Sequence, residues 1–234
     1  MPKLSFIKDG DLELIVRDLL IEAAKAKEKA EQSYNRNVID PFAVLFEMAG
    51  FGLDPEAWLT SEKTRQAQKT LQNHVGEFHQ RVLGKVNDWQ DMGVGSVVDL
   101  VSNERKIVAE IKNKFNTVKG SDRVGIYDAM HAIIMPKGQL YRGYTAYYVE
   151  VIPKTAARYD IEFTPPDKAT GEKRAASNRI RLTDGASFYA LATGVDDALA
   201  QLFAILPDVI ERCGDYTFTD RGFLTDFFKS AYGE

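Results

Sequence analysis

The chain has 234 residues, a formal net charge of −4 and 44% apolar residues, enough for one large domain with a well-filled interior. No run approaches the roughly 18 apolar residues of a membrane span, the first residues lack the apolar region of a secretory signal, and Cys213 is the sole cysteine. An intrachain disulfide and a cysteine-cluster zinc site are excluded, no membrane partner is expected, and the cytoplasm is the default location.

Residues 9–33 carry apolar side chains at helical spacing, Leu12, Ile15, Leu19 and Leu20 among them, followed by alternating Lys and Glu. Asp40-Pro41 predicts a helix start, with Asp40 as cap and Pro41 in the first turn, and Gly50 and Gly52 end that helix. A long helix is expected over about 55–86, with Leu71, Val75, Phe78 and Val82 on one buried face. After a loop at 88–95, apolar segments at 97–101 and 107–111 flank a polar turn at 102–105 and predict a β-hairpin. Residues 121–135 read as helix and 144–152 as the best further strand. Residues 161–179 read as loop-rich around Pro165-Pro166, and 186–213 and 219–232 as helices, the former broken near Pro207. The expected fold is mixed α/β, a small central mixed β-sheet flanked by many helices.

The hairpin carries the chemistry. Asp99 interrupts its first apolar segment, and Glu110-Ile111-Lys112 ends its second. Strand alternation puts Glu110 and Lys112 on one face. A two-residue turn at Asn103-Glu104 would set Asp99 opposite Val108 and diagonal to Glu110, roughly 7–8 Å away. Ionisable groups among apolar neighbours are costly unless they have a partner or a task. Two carboxylates and the Ile111 carbonyl form a hard-oxygen set suited to Mg²⁺. Lys112 would then orient or help deprotonate a water and screen a phosphate. The same residues also suit a surface ion pair worth about 0–1 kcal/mol.

Asp99-x₁₀-Glu110-x-Lys112 resembles the PD-(D/E)XK nuclease signature, with Val98 where that superfamily's proline would stand. The continuation from Glu110 to Thr117 and the upstream stretch from Gly76 to Gly84 are similar to type II restriction endonucleases, in particular those cutting GGNCC-like sites. The resemblance implies a restriction-endonuclease-like core over about residues 70–155 of a single endonuclease domain, after a helical part at about 1–70 and before a DNA-contacting loop and helical part at about 156–234. It implies a Mg²⁺-dependent, sequence-specific cut of double-stranded DNA to 5′-phosphate and 3′-hydroxyl ends. A homodimer and a cognate DNA methyltransferase are the partners it implies. Metal would be held by Asp99, Glu110 and the Ile111 carbonyl, with Lys112 catalytic and Glu77, on the preceding helix, as a further acidic residue. Two alternatives remain at this point: a nuclease reading DNA structure, and a non-catalytic nucleic-acid-binding module.

The net charge is awkward for a DNA enzyme, because affinity comes from cations neutralising phosphates. Locally the balance is basic: residues 103–123 hold six basic side chains against three acidic, and residues 168–181 hold five against one. Candidate DNA contacts are Asn113, Lys114, Asn116, Thr117, Lys119 and Arg123 in the first stretch. Lys173, Arg174, Asn178, Arg179 and Arg181 are the candidates in the second. His74, His79 and His131 lack metal-ligand spacing and are expected to be structural or surface residues.

Overall fold

In this computed structural model the described residues are 3–93, 95–167 and 169–233, and they form seven α-helices and a six-stranded mixed sheet. α1 (Asp9–Ser33) and α3 (Pro55–Leu83) run antiparallel, joined by the ion pairs Asp11–Lys85 and Asp18–Arg81 and by the Tyr34 carbonyl, which accepts from Gln66. α2 (Pro41–Phe51), between them in the chain, starts as expected: the Asp40 carboxylate accepts from the Phe42 N–H at 2.9 Å, and Pro41 fills the first turn.

The sheet runs in the order β1 (Gln90–Asp91), β2 (Leu100–Ser102), β3 (Ile107–Lys114), β4 (Thr145–Ile152), β6 (Ile180–Asp184), β5 (Asp160–Glu162). β3, β4 and β6 are parallel, and the edge pairs are antiparallel. α4 (Gly120–Ile134) makes the crossover from β3 to β4. One face, with Ala109, Ile111, Tyr147, Val149 and Val151, packs in the larger core with side chains from α1, α3, α5 (Gly185–Thr193) and α6 (Ala198–Cys213). The other, with Val108, Ala146, Tyr148 and Ile180, packs with Tyr127, Met130 and Ile134 of α4. α7 (Arg221–Tyr232) follows, capped by Asp220. No single helix among the described residues is long and apolar enough to cross a membrane.

Three expectations need correction. The hairpin tip spans residues 103–106, not two residues, because Ser102 pairs with Ile107 and Lys106 turns the chain at φ +53°. This shifts the register by two residues, which keeps every side chain on its expected face. Of the segment 161–179 read as loop-rich, residues 161 and 162 belong to strand β5; β6, which begins just after that segment and is held by β4, was not foreseen. The C-terminal helices break at Gly194, whose φ of +74° caps α5, while Pro207 lies buried inside α6. The proline forfeits one helical hydrogen bond, and packing of its ring offsets the loss.

Candidate active site

β3 is buried along its first half and opens along its second. Its C-terminal end, beside the parallel strand β4, is where open α/β sheets place their ligand crevices. A cleft of about 520 Å³ lies there. Gln72, Asn73, Gly76, Glu77 and Gln80 of α3 form one wall, and Asp99, Ile111, Lys112, Asn113, Lys114, Asn116 and Thr117 the other.

Regular pairing of β2 with β3 ends at Leu100–Ala109, with Val101 opposite Val108, so Asp99, just before β2, is not opposite Val108 but lies near enough to Glu110 for its charge to be felt there. Asp99 is fixed three ways. Its N–H donates to the Ala109 carbonyl at 2.9 Å, its carbonyl accepts from the Met92 N–H at 2.9 Å, and its Oδ2 accepts from the Ile111 N–H at 2.7 Å. Lys112 Nζ lies 2.5 Å from Glu110 Oε1. Burial pushes the Asp99 carboxyl above its ordinary range, with the Ile111 N–H and Lys112 pulling the other way and Asp91 adding to the rise. Burial likewise raises Glu110, the charge of Asp99 raises it further, and Lys112 opposes both. The pair is therefore short of positive charge even with the lysine in place.

Glu77 reaches the rim of the same cleft, largely exposed, with His74 Nδ1 3.4 Å away. Gln80, one turn on, donates to Asp91 Oδ1 at 2.7 Å. Of the candidate DNA contacts, Asn113, Lys114, Asn116 and Thr117 line the cleft, and Lys119 is exposed where α4 begins.

The other candidates lie apart from this group, and several are occupied. Arg123 pairs with buried Glu150 and lies over the Tyr148 and Phe163 rings. Arg174 grips Asp128 with two hydrogen bonds of 2.8 Å and also reaches Asp167. Arg181 holds Asp160, and Arg179 points its guanidinium at Met135 Sδ. Lys173 and Asn178 are exposed, and Lys168 lies outside the described residues. The local excess of basic residues is thus partly neutralised by acids distant in sequence, which a count along the chain cannot register.

The histidines fit the structural role expected. His131 stacks on Tyr127. His79 meets the Tyr189 hydroxyl at 2.9 Å beside a separate apolar cavity, and burial pushes its imidazole down to about 4.

Sequence reasoning missed Asp91, whose charge bears on Asp99 through the short strand β1. It also missed Glu150, which stands beside Lys112 in the β3–β4 register and is held by Arg123 and the Tyr159 hydroxyl. Glu150 had a signal, a carboxylate inside the apolar run 144–152; Asp91 had none.

Comparison with known proteins gives the chain its class: it is a type II restriction enzyme, a sequence-specific DNA endonuclease. It belongs to the Eco47II restriction endonuclease family, whose model matches residues 4–213. It is 45% identical over 240 residues to the type II restriction enzyme Eco47II of Escherichia coli, with all of both chains covered. It is 35% identical over 234 residues to the type II restriction enzyme Sau96I of Staphylococcus aureus, covering 98% of this chain and 88% of that one. The structure-reading nuclease and the non-catalytic module are set aside.

Proposed function

We propose that the enzyme hydrolyses one phosphodiester in each strand of double-stranded DNA with Mg²⁺, at a GGNCC-like site, leaving 5′-phosphate and 3′-hydroxyl ends. The observation that carries this reading is that the Asp99 carboxylate accepts from the Ile111 N–H while Lys112 meets Glu110, which gathers the three side chains at the open end of β3 beside the cleft. Among the described residues no group of three or more His, Cys, Asp or Glu side chains forms a metal cluster. Two carboxylates and the Ile111 carbonyl suit Mg²⁺, which keeps several waters and takes substrate phosphate oxygens. The raised carboxyl groups favour the fit, since a divalent cation supplies the missing positive charge.

Asp99, Glu110 and the Ile111 carbonyl would hold the ion, which when bound acidifies a water and stabilises charge on the phosphoryl oxygens. Lys112 would orient the attacking water and face the phosphate. Glu77 adds negative charge at the rim. Asn113, Lys114, Asn116, Thr117 and Lys119 hold the DNA backbone, and the exposed Lys173 and Asn178 reach toward it. Arg123, Arg174, Arg179 and Arg181 would reach it only by exchanging their present partners. A palindromic site is read by a two-fold homodimer. The enzyme would work in the cytoplasm beside a methyltransferase that protects the host's own sites.

The test is cleavage of a duplex carrying GGNCC sites, with binding measured in parallel. The Lys112→Ala variant should lose cleavage by orders of magnitude and keep most of its binding. Undiminished cutting by that variant would overturn the assignment of Lys112.

A further inference from the structure

We propose that the outward face of α2 is where two copies of this chain join, antiparallel about a two-fold axis at Phe46. The proposal rests on the homodimer reading above and assigns that dimer its surface. α2 is apolar save for Glu47 yet has no buried residue. A helix of that kind is stable in water only when something covers it. Its inward side holds Ala43, Val44 and Met48, together with Glu47, which accepts from the Trp58 indole N–H at 2.8 Å. Its outward side holds Phe42, Leu45, Phe46, Ala49 and Gly50, without a charge. Phe42 is 71% exposed, Leu45 66% and Phe46 78%.

Three arguments select a second copy as the cover. The first is chemical: no basic residue lies between 41 and 51, so the face offers nothing to a phosphate backbone. The second is area. With Ala49 and Gly50, also exposed, Phe42, Leu45 and Phe46 present on the order of 500 Å² at 150–250 Å² per aromatic side chain, the larger part of one side of an interface. A standard interface takes about 800 Å² from each partner. The third is self-complementarity. Large residues occupy one end of the face and small ones the other. In an antiparallel pair centred on Phe46, Phe42 of each copy falls over Ala49 and Gly50 of the other, and the two Phe46 rings meet on the axis. A two-fold contact requires such a self-matching surface. The face also lies at the start of α3, and the cleft near its end, so pairing there leaves both clefts open.

The experiment is sedimentation equilibrium of the full chain, with and without a site-bearing duplex, for the wild type, Phe46→Asp and Gly50→Leu. Phe46→Asp sets like charges together on the axis. Gly50→Leu fills the receiving end; nothing lies within 4 Å of an added Cβ there, so the folded chain tolerates it. The wild type should sediment at twice 26.2 kDa and both variants at 26.2 kDa, with unchanged helical circular dichroism. On plasmid, the variants should accumulate nicked circles before linear product. If both variants remain dimeric, the α2 assignment falls while the homodimer reading stands. A wild type that is monomeric with and without DNA overturns both.

Discussion

Two side chains at the centre of the sheet trade stability against chemistry. The Glu110 carboxyl is raised above its ordinary value of 4.5, so at neutral pH the folded chain bears a cost for keeping it ionised. Glu110→Gln should therefore unfold at a higher temperature than the wild type at pH 7 without metal. The gain should shrink as the pH falls below the carboxylate range, where the wild type is protonated whether folded or not. Added Mg²⁺ should stabilise only the wild type. A lower melting temperature of the variant at pH 7 would contradict this account. Tyr148, beside Glu110 in the register and fully buried, carries a hydroxyl without a hydrogen-bond partner, and burial pushes it up to about 12. An unpaired buried polar group costs about 1–3 kcal/mol. Tyr148→Phe keeps the ring stacked on Phe163 and under Arg123. Its urea midpoint should rise with an unchanged slope.

At the scale of elements, the turn from β6 into α5 depends on the absence of a side chain. A Cβ on Gly185 would lie 2.4 Å from the Val151 carbonyl oxygen and 2.8 Å from its Cα, backbone atoms that cannot swing aside. Gly185→Ala should cost on the order of 3 kcal/mol by overpacking. Gly125→Ala, within α4 and with nothing within 4 Å, should instead gain up to about 1 kcal/mol; calorimetry of the two variants compares them directly. Such close approaches leave no trace in a sequence, whereas local signals do. The Asp40-Pro41 cap, the apolar spacing of α1 and α3 and the aromatic run of β4 were all legible. β6 was not, because Ile180–Asp184 is short and is held by β4, far away in the chain. Pro207 drew attention away from Gly194 because a proline's cost is local and the packing that offsets it is not. Asp99, Glu110 and Lys112 stood out as ionisable residues inside apolar strands. Asp91 did not, since only its pairing with Leu100 brings it toward Asp99.

Across the whole molecule, an acidic protein with a pI near 5.5 has to bind a polyanion. Only its local cations can serve, and many of its arginines already hold acids. Lys114 and Lys119 are exposed, one at the cleft and the other at the start of α4. Each lysine-to-alanine change should weaken binding at all sequences and reduce the slope of log affinity against log salt by about 1. Arg174→Ala should leave that slope unchanged; a shallower slope there would show that Arg174 leaves Asp128 for DNA.

The bond from the Ile111 N–H to the Asp99 carboxylate also shapes how such an enzyme can decay. In a lineage freed from selection for cutting, loss of Asp99 removes a tether of the central strand along with an acid. That allele leaves the Ile111 N–H without its partner, so the fold is touched wherever the acid is lost. Loss of Lys112 removes no backbone bond, so, on the role proposed for this lysine, the folded but inactive protein would persist as a silent occupant of its sites, open to a new use.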